Sequence, residues 1–234
     1  MSAPHRRRLR ELWRSAGWPC HDGLELDLLA AGALSRHWDE QGRETLRVTD
    51  AGLALLAQTR ARNQAAFDTH EALVGKVALQ MQRAGRVVWR GLSLRAQRVA
   101  EDGSTAWCVA MPDVFSIRHT TVEDYTEPVV HEIKVTRADL LSDLRNVDKG
   151  AAYLAMASQC WYVLRRGIAL ADEVPSAFGV MWADDAGLEV ARAAPRRAMR
   201  LPFAVWMALA RADAERGPED GVQGLLGDVP LHGL

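Results

Sequence analysis

The run Val129-Val130-His131-Glu132-Ile133-Lys134-Val135 constrains this chain more than any other stretch, because it sets a carboxylate and an ammonium within an apolar segment of strand character. Val and Ile favour the pleated, half-buried surface of a sheet. With a side-chain period of two, Val130, Glu132 and Lys134 share one face and His131, Ile133 and Val135 the other. Glu132 and Lys134 are therefore neighbours. Taken alone, such a Glu-x-Lys pair most often lies on a solvated strand edge, since charged residues are seldom buried. A second apolar run upstream, closing in Pro112-Asp113, shifts the balance, with Glu132 following Asp113 by 19 positions.

The residue types suit one chemistry. Mg²⁺ is a hard ion held by one or two carboxylates plus water and phosphate oxygens, so Asp113 and Glu132 suffice as anchors. A lysine beside them orients a water or stabilises developing charge in phosphodiester hydrolysis. Only Lys76, Lys134 and Lys149 are lysines among 29 basic residues, so wherever a generic cation is wanted the sequence writes arginine. Lys134 is expected to use what guanidinium lacks, a compact donor whose pKa can fall on burial.

At these residues the chain resembles a family. Met111-Pro112-Asp113-Val114-Phe115-Ser116-Ile117 and His131-Glu132-Ile133-Lys134-Val135 resemble the two metal-site motifs of the PD-(D/E)XK nuclease superfamily. The continuation from Thr136 to Arg145, then Lys149 and Tyr153, then Cys160-Trp161-Tyr162-Val163-Leu164, resembles bacterial DNA-repair and resolvase-like members, including the MmcB-like group. The resemblance covers roughly residues 66 to 195. It implies an α/β fold with a restriction-endonuclease-like core of helix, three strands, helix and strand (αβββαβ), a central mixed sheet flanked by helices. It also implies a metal-dependent endonuclease using Mg²⁺ or Mn²⁺ on DNA, with RNA as the alternative, in repair, recombination, mobile-element processing or defence. Under it, Asp113 and Glu132 hold the metal, the Ile133 carbonyl adds a ligand, Lys134 assists the attacking water, and Glu71 is a further catalytic ligand.

The residues leave several roles open. Asp68-Thr69-His70-Glu71 also reads as an N-cap followed by its Glu, which would make Glu71 a helix-start device. His70 and His131 flank the carboxylates, but a lone His beside a motif is more often structural. Lys149 and Tyr153 lie four apart and so share a helix face; the resemblance implies that this helix crosses the site, which would bring both to phosphate. Arg137 and Arg145 are candidates for backbone contacts, whereas Asp143 reads as part of a solvated, i,i+4-paired face.

The element pattern follows the same layout. Asn63 to Gly85 reads as the first core helix. Arg86 to Leu94 and Trp107 to Met111 read as strands around a turn at Glu101-Asp102-Gly103-Ser104. Thr136-x-x-Asp139 caps a helix directly after the Glu-x-Lys strand. Gly167 to Pro175 reads as a turn into a short helix, Phe178 to Val190 as a hairpin that extends the sheet, and Val205 to Ala210 as a helix packed on it. Arg196, Arg197 and Arg200 read either as DNA contacts or as a solvated loop.

Residues 1–62 resemble a winged helix. Leu9 to Ala16 and Gly23 to Ala31 are helix candidates, Leu34 to Trp38 and Thr45 to Val48 a hairpin, and Thr49 caps a helix through Leu53, Leu55 and Leu56. The helix before the wing carries Asp22, Glu25 and Asp27 and no base between Gly23 and Ala31, which disfavours phosphate. Arg36, Arg43 and Arg47 on the wing, and the arginine-rich start, remain the candidates for nucleic-acid backbone contact. The alternatives are a docking module or a homodimer contact.

Composition sets outer bounds. With 234 residues and 48% hydrophobic content the chain has room for a winged-helix-like domain (1–62), a nuclease-like domain (63–216) and a Gly/Pro-rich flexible tail (217–234). No apolar stretch reaches membrane-spanning length, and the arginine-rich start lacks a following signal-type apolar region, so no membrane partner and a cytoplasmic location are expected. Three dispersed cysteines fit a reducing compartment. A net charge of −1 makes any nucleic-acid footprint local. The competing reading is a non-catalytic DNA- or protein-binding regulator that uses the nuclease fold as a scaffold.

Overall fold

Two segments of different character fold as two compact units, one from Met1 to Asp68 and one from Thr69 onward. The computed structural model describes residues 1–99 and 105–217. The expected turn at 101–104 and the tail beyond 217 lie outside them.

In the first unit, α1 (Ala3–Arg14), α2 (Gly23–Ala30), β1 (Leu34–Trp38), β2 (Glu44–Val48) and the start of α3 (Asp50–Arg83) follow the expected order. Leu9, Leu12, Leu28, Ala33, Leu34 and Leu46 form its core. Asp22 caps α2 by accepting the Glu25 N–H at 2.9 Å, and Thr49 Oγ1 accepts the Gly52 N–H at 3.1 Å. Gly17 is required where it stands. Its φ is +79°, and a Cβ there would lie 2.2 Å from the Leu46 carbonyl oxygen.

One expectation is corrected. The sequence reading separates a helix after Thr49 from another starting at Asn63, but α3 runs unbroken from Asp50 to Arg83. Residues 58–67 contain no Gly or Pro and are rich in Ala, Gln and Arg, so nothing stops the helix there. The division between units therefore falls inside α3 rather than at residue 62. Asp68 and Glu71 are mid-helix residues, which removes the helix-start role for Glu71.

The second unit is built on a six-stranded mixed sheet in the order β10-β9-β8-β7-β6-β3. β3 (Arg86–Arg90) and β7 (Val129–Lys134) each pair antiparallel with β6 (Val114–Arg118) between them, β8 (Gln159–Arg165) and β9 (Gly179–Asp184) continue parallel to β7, and β10 (Gly187–Arg192) closes a hairpin with β9. β4 (Leu94–Val99) and β5 (Thr105–Ala110) form a separate hairpin between β3 and β6. The expected single strand from Arg86 to Leu94 is thus two. Gly91, at φ +56°, ends β3, and its N–H donates to the Asp113 carbonyl at 3.1 Å.

Helices cover both sheet faces. Leu73, Val74, Val77 and Ala78 of α3 pack on Val88, Ile133, Val135 and Val163. On the opposite face, α4 (Arg137–Leu144), α5 (Val147–Met156) and α6 (Phe203–Arg211) contribute Leu140, Tyr153, Met156, Val205 and Leu209 to a cluster with Val130, Tyr162 and Leu164. All six residues of β7 are buried. Among the described residues no helix is long and apolar enough to cross a membrane.

Candidate active site

The period-two reading of β7 holds in three dimensions: Ile133 and Val135 join the α3-side core, and Val130 the opposite one. Glu132 and Lys134, only 3% and 5% exposed, lie among the polar ends of residues from α4, α5 and β8. Burying charges this deeply is costly unless each is paired, and here each is. Lys134 Nζ donates to Glu132 Oε1 at 2.7 Å, and Lys149 Nζ donates to the same oxygen at 2.6 Å. Tyr153 Oη donates to Glu132 Oε2 at 2.6 Å. Beyond the lysines stands Asp143, whose Oδ1 accepts from Lys149 and lies 3.5 Å from Lys134 Nζ. Its Oδ2 accepts from Tyr162 Oη at 2.7 Å.

Two ammonium groups thus alternate with two carboxylates, and two tyrosine hydroxyls complete the set. Burial alone would lower the Lys134 pKa, but Glu132, then Asp143 and Asp139, more than reverse it. Lys134 holds its proton more tightly than a free lysine. The expected fall on burial is therefore corrected, because three carboxylates accompany the ammonium. Lys149 is raised in the same way by Glu132 and Asp143 against its own desolvation. Burial raises Asp143, but its hydrogen bond from Lys149 and the charge of Lys134 leave it below the ordinary carboxylate value. Burial and the adjacent carboxylates push Tyr153 and Tyr162 far up, keeping both hydroxyls as donors.

Asp113 precedes β6. It meets β7 through its side chain, since the β6–β7 pairing stops at Val114 and His131. Asp113 Oδ2 accepts the Ile133 N–H at 2.7 Å and lies 3.3 Å from His70 Nε2, leaving Oδ1 without a protein partner among the described residues. A strand residue projects its N–H and C=O to the same side, so the Ile133 carbonyl also faces the Asp113 edge. Burial and the Glu132 charge raise the Asp113 carboxyl above its ordinary value, outweighing the Ile133 N–H, His70 and Lys134. That mutual repulsion of carboxylates is what a bound cation relieves. Asp113 Oδ1, the Glu132 carboxylate and the Ile133 carbonyl are the oxygens here that could hold a hard cation such as Mg²⁺ or Mn²⁺. Among the described residues no group of three or more His, Cys, Asp or Glu side chains forms a metal cage.

Several expected site residues stand elsewhere. Glu71 reaches Asp113 only by way of His70: its Oε1 is 3.2 Å from His70 Nδ1, and its Oε2 accepts from Arg90 at 3.0 Å. His131 lies with its back to the cluster. It is fully buried, its Nδ1 has no hydrogen-bond partner among the described residues, and burial followed by the Arg86 charge lowers its pKa to about 3. Arg137 grips Glu173 with both terminal nitrogens, at 3.1 and 2.6 Å, while Arg145 is exposed. On the wing, Arg36 lies 3.3 Å from Glu44 and Arg43 2.7 Å from Asp39, whereas Arg47 is exposed. The acidic groups of α2 are internal partners: buried Glu25 accepts from Arg8 and from the Cys20 and His21 N–H groups. Arg196 pairs with Glu127, Arg197 bonds the Ala157 and Ala177 carbonyls, and Arg200 lies 3.4 Å from Asp124.

Asp143 and Tyr162 were not foreseen. The solvated-face reading of Asp143 is corrected, because its side chain is 8% exposed and bonded on both oxygens. Helical spacing of Asp139 and Asp143 looks the same whether that face meets water or a sheet. Tyr162 stands opposite Glu132 in the parallel β7–β8 register, which only strand pairing reveals.

No family model and no curated protein match this chain. Among solved structures, the SPO1766 protein of unknown function from Silicibacter pomeroyi is similar, at 21% identity, with 68% of this chain and 91% of that chain covered and a TM-score of 0.40.

Proposed function

We propose that this chain is a divalent-metal-dependent nuclease with a restriction-endonuclease-like core, hydrolysing phosphodiester bonds in DNA. The observation that carries the proposal is Lys134, a buried lysine kept charged against Glu132 on the strand whose backbone binds Asp113. The order of elements around it supports the reading: α3, then β3, β6 and β7, then α4 and α5, then β8, which is helix, three strands, a pair of helices and a strand once the β4–β5 hairpin is set aside, against the single helix of the core that the resemblance implies.

Asp113, Glu132 and the Ile133 carbonyl would hold Mg²⁺ or Mn²⁺, which when bound polarises a phosphoryl oxygen and lowers the pKa of a water. Asp113 brings an oxygen with no protein partner among the described residues, and Tyr153 and the two lysines fix how Glu132 points. Lys134 acts as a donor rather than a base, because its proton is held more tightly than in a free lysine. It orients the attacking oxygen or stabilises charge on the phosphoryl group. Lys149, whose side chain is 26% exposed against 6% for Lys134, is the ammonium that meets phosphate. Arg145, exposed at the end of α4, is placed for a backbone contact.

A second reading has one observation in its favour. Both Glu132 oxygens are already occupied by Lys134, Lys149 and Tyr153, as in a self-contained structural cluster serving a binding scaffold. Cleavage of labelled plasmid, linear duplex, single strand, branched junction and RNA, with Mg²⁺, Mn²⁺ or EDTA, separates the two. Metal-dependent cutting by the wild type that disappears in Lys134→Ala supports the nuclease. Binding without cutting by either protein replaces it with the scaffold.

A further inference from the structure

In the first unit, α1 and the beginning of α3 enclose a groove of about 720 Å³ lined by Arg10, Trp13, Arg14, Leu53, Leu56 and Arg60, among others. Both walls follow helical spacing, with positions 10, 13 and 14 on α1 and 53, 56, 57 and 60 on α3. Trp13 is 57% exposed and Leu53 41%, large apolar surfaces that water covers at a cost. No carboxylate among the described residues lines the groove. Among the described residues Arg10, Arg14 and Arg60 have neither an ion pair nor a side-chain hydrogen bond, although Arg7 and Arg8 on the same helix are paired. An aliphatic floor under an unneutralised basic rim requires an occupant with apolar groups on one side and negative charge on the other.

We propose that this groove binds an amphipathic acidic helix of a partner protein, with Leu- or Phe-type side chains on Leu53, Leu56 and Trp13 and carboxylates on Arg10, Arg14 and Arg60. Helix-in-groove recognition uses this combination, and Trp and Arg are the residue types that most often dominate binding energy. Nucleic acid fits less well. Single-strand binders stack successive bases on successive aromatic rings, whereas Trp13 is the one aromatic residue in this lining and the rest of the floor is aliphatic. The proposal is independent of phosphodiester hydrolysis.

The test pans a displayed random-peptide library against the full chain and against the Arg10→Glu/Arg60→Glu variant, whose fold is checked by circular dichroism. The enriched peptides are then measured by fluorescence anisotropy beside a labelled oligothymidylate. Enriched peptides should combine Asp or Glu with Leu, Ile or Phe at helical spacing. They should bind the double variant, and separately Trp13→Ala, at least about tenfold more weakly. Absence of enrichment overturns the proposal, as do peptides that bind wild type and variant alike. Oligothymidylate binding that is lost in the variant reassigns the groove to nucleic acid. Concentration-dependent dimerisation of the wild type that is abolished in the variant reassigns it to a second copy of the chain.

Discussion

The cations of the β7 cluster and those of the α1–α3 groove obey opposite rules. At β7, Lys134 is drawn out of water and Lys149 partly so, and each is shared between Glu132 and Asp143. In the groove, Arg10, Arg14 and Arg60 stay in solvent, and among the described residues none has a carboxylate partner. Charge satisfied internally fixes the geometry of its neighbours, whereas charge left unsatisfied beside apolar surface is available to something else. The first pattern suits chemistry that needs a few groups held still, the second suits recognition.

The strongest way to break this contrast is at Lys134. Lys134→Ala is expected to lower metal-dependent cleavage by roughly 10²- to 10⁴-fold, as for loss of a positioned catalytic group, with single-turnover assays as the measure. Lys134→Arg should not restore it, because the guanidinium is larger and planar. Undiminished cutting by Lys134→Ala would remove the lysine from the mechanism.

Next in size is a stability effect on the same cluster. Glu132→Leu takes from Lys134 and Lys149 the carboxylate they share most closely, leaving Asp143 to both and Asp139 at 3.6 Å to Lys134, and the expected loss in urea unfolding is about 3 kcal/mol, the usual cost of breaking a buried pair. The paired groove variant Arg10→Glu/Arg60→Glu should shift stability by no more than about 0.5 kcal/mol, since exposed substitutions seldom do more. Equal losses in the two variants would erase the distinction between satisfied and unsatisfied charge.

His131 sharpens the comparison. It is as buried as Lys134 and one strand position from Glu132, yet burial and the Arg86 charge hold it neutral, with a pKa of about 3. An unfolded histidine takes up a proton near pH 6.5. Below that pH the unfolded state binds a proton that the folded state refuses, so stability falls as pH drops toward 3. The expected slope is at most about 1.4 kcal/mol per pH unit. His131→Phe should flatten the part between about pH 6 and 4.5, where histidine dominates the linkage. An unchanged slope would place the acid sensitivity elsewhere.

The smallest effect concerns the thiols. Cys160 is buried and its pKa is pushed up to about 12 by desolvation, against the lowering by Arg197, while Cys20 is exposed. Thiol labelling followed by mass spectrometry should modify Cys20 in the folded protein and Cys160 only on unfolding. Prompt labelling of Cys160 would show that this core opens more readily than the cluster above it requires.

The alternation of β7 was legible in the sequence because a strand's side-chain period is fixed at two: Glu132 and Lys134 had to share a face whatever packed against it. The caps at Thr49 and Thr136 were legible for a similar reason, since each side chain serves backbone groups within a few residues. The continuity of α3 was less so. Local pattern marks helix starts more strongly than it marks a helix that simply fails to stop, and Asp68 offered a false start.

What the amino-acid order determined, then, was the set of short-range choices: which residues extend, which cap, and which charges lie side by side on one strand. Tertiary structure alone decided what those charges meet. The parallel register of β7 and β8 places Tyr162 beside Glu132, and the packing of α4 and α5 buries Asp143, although its helical spacing is the same on a solvated face. It also decided that Lys134 retains its proton, because a buried ionisable group's pKa depends on neighbours brought from distant positions.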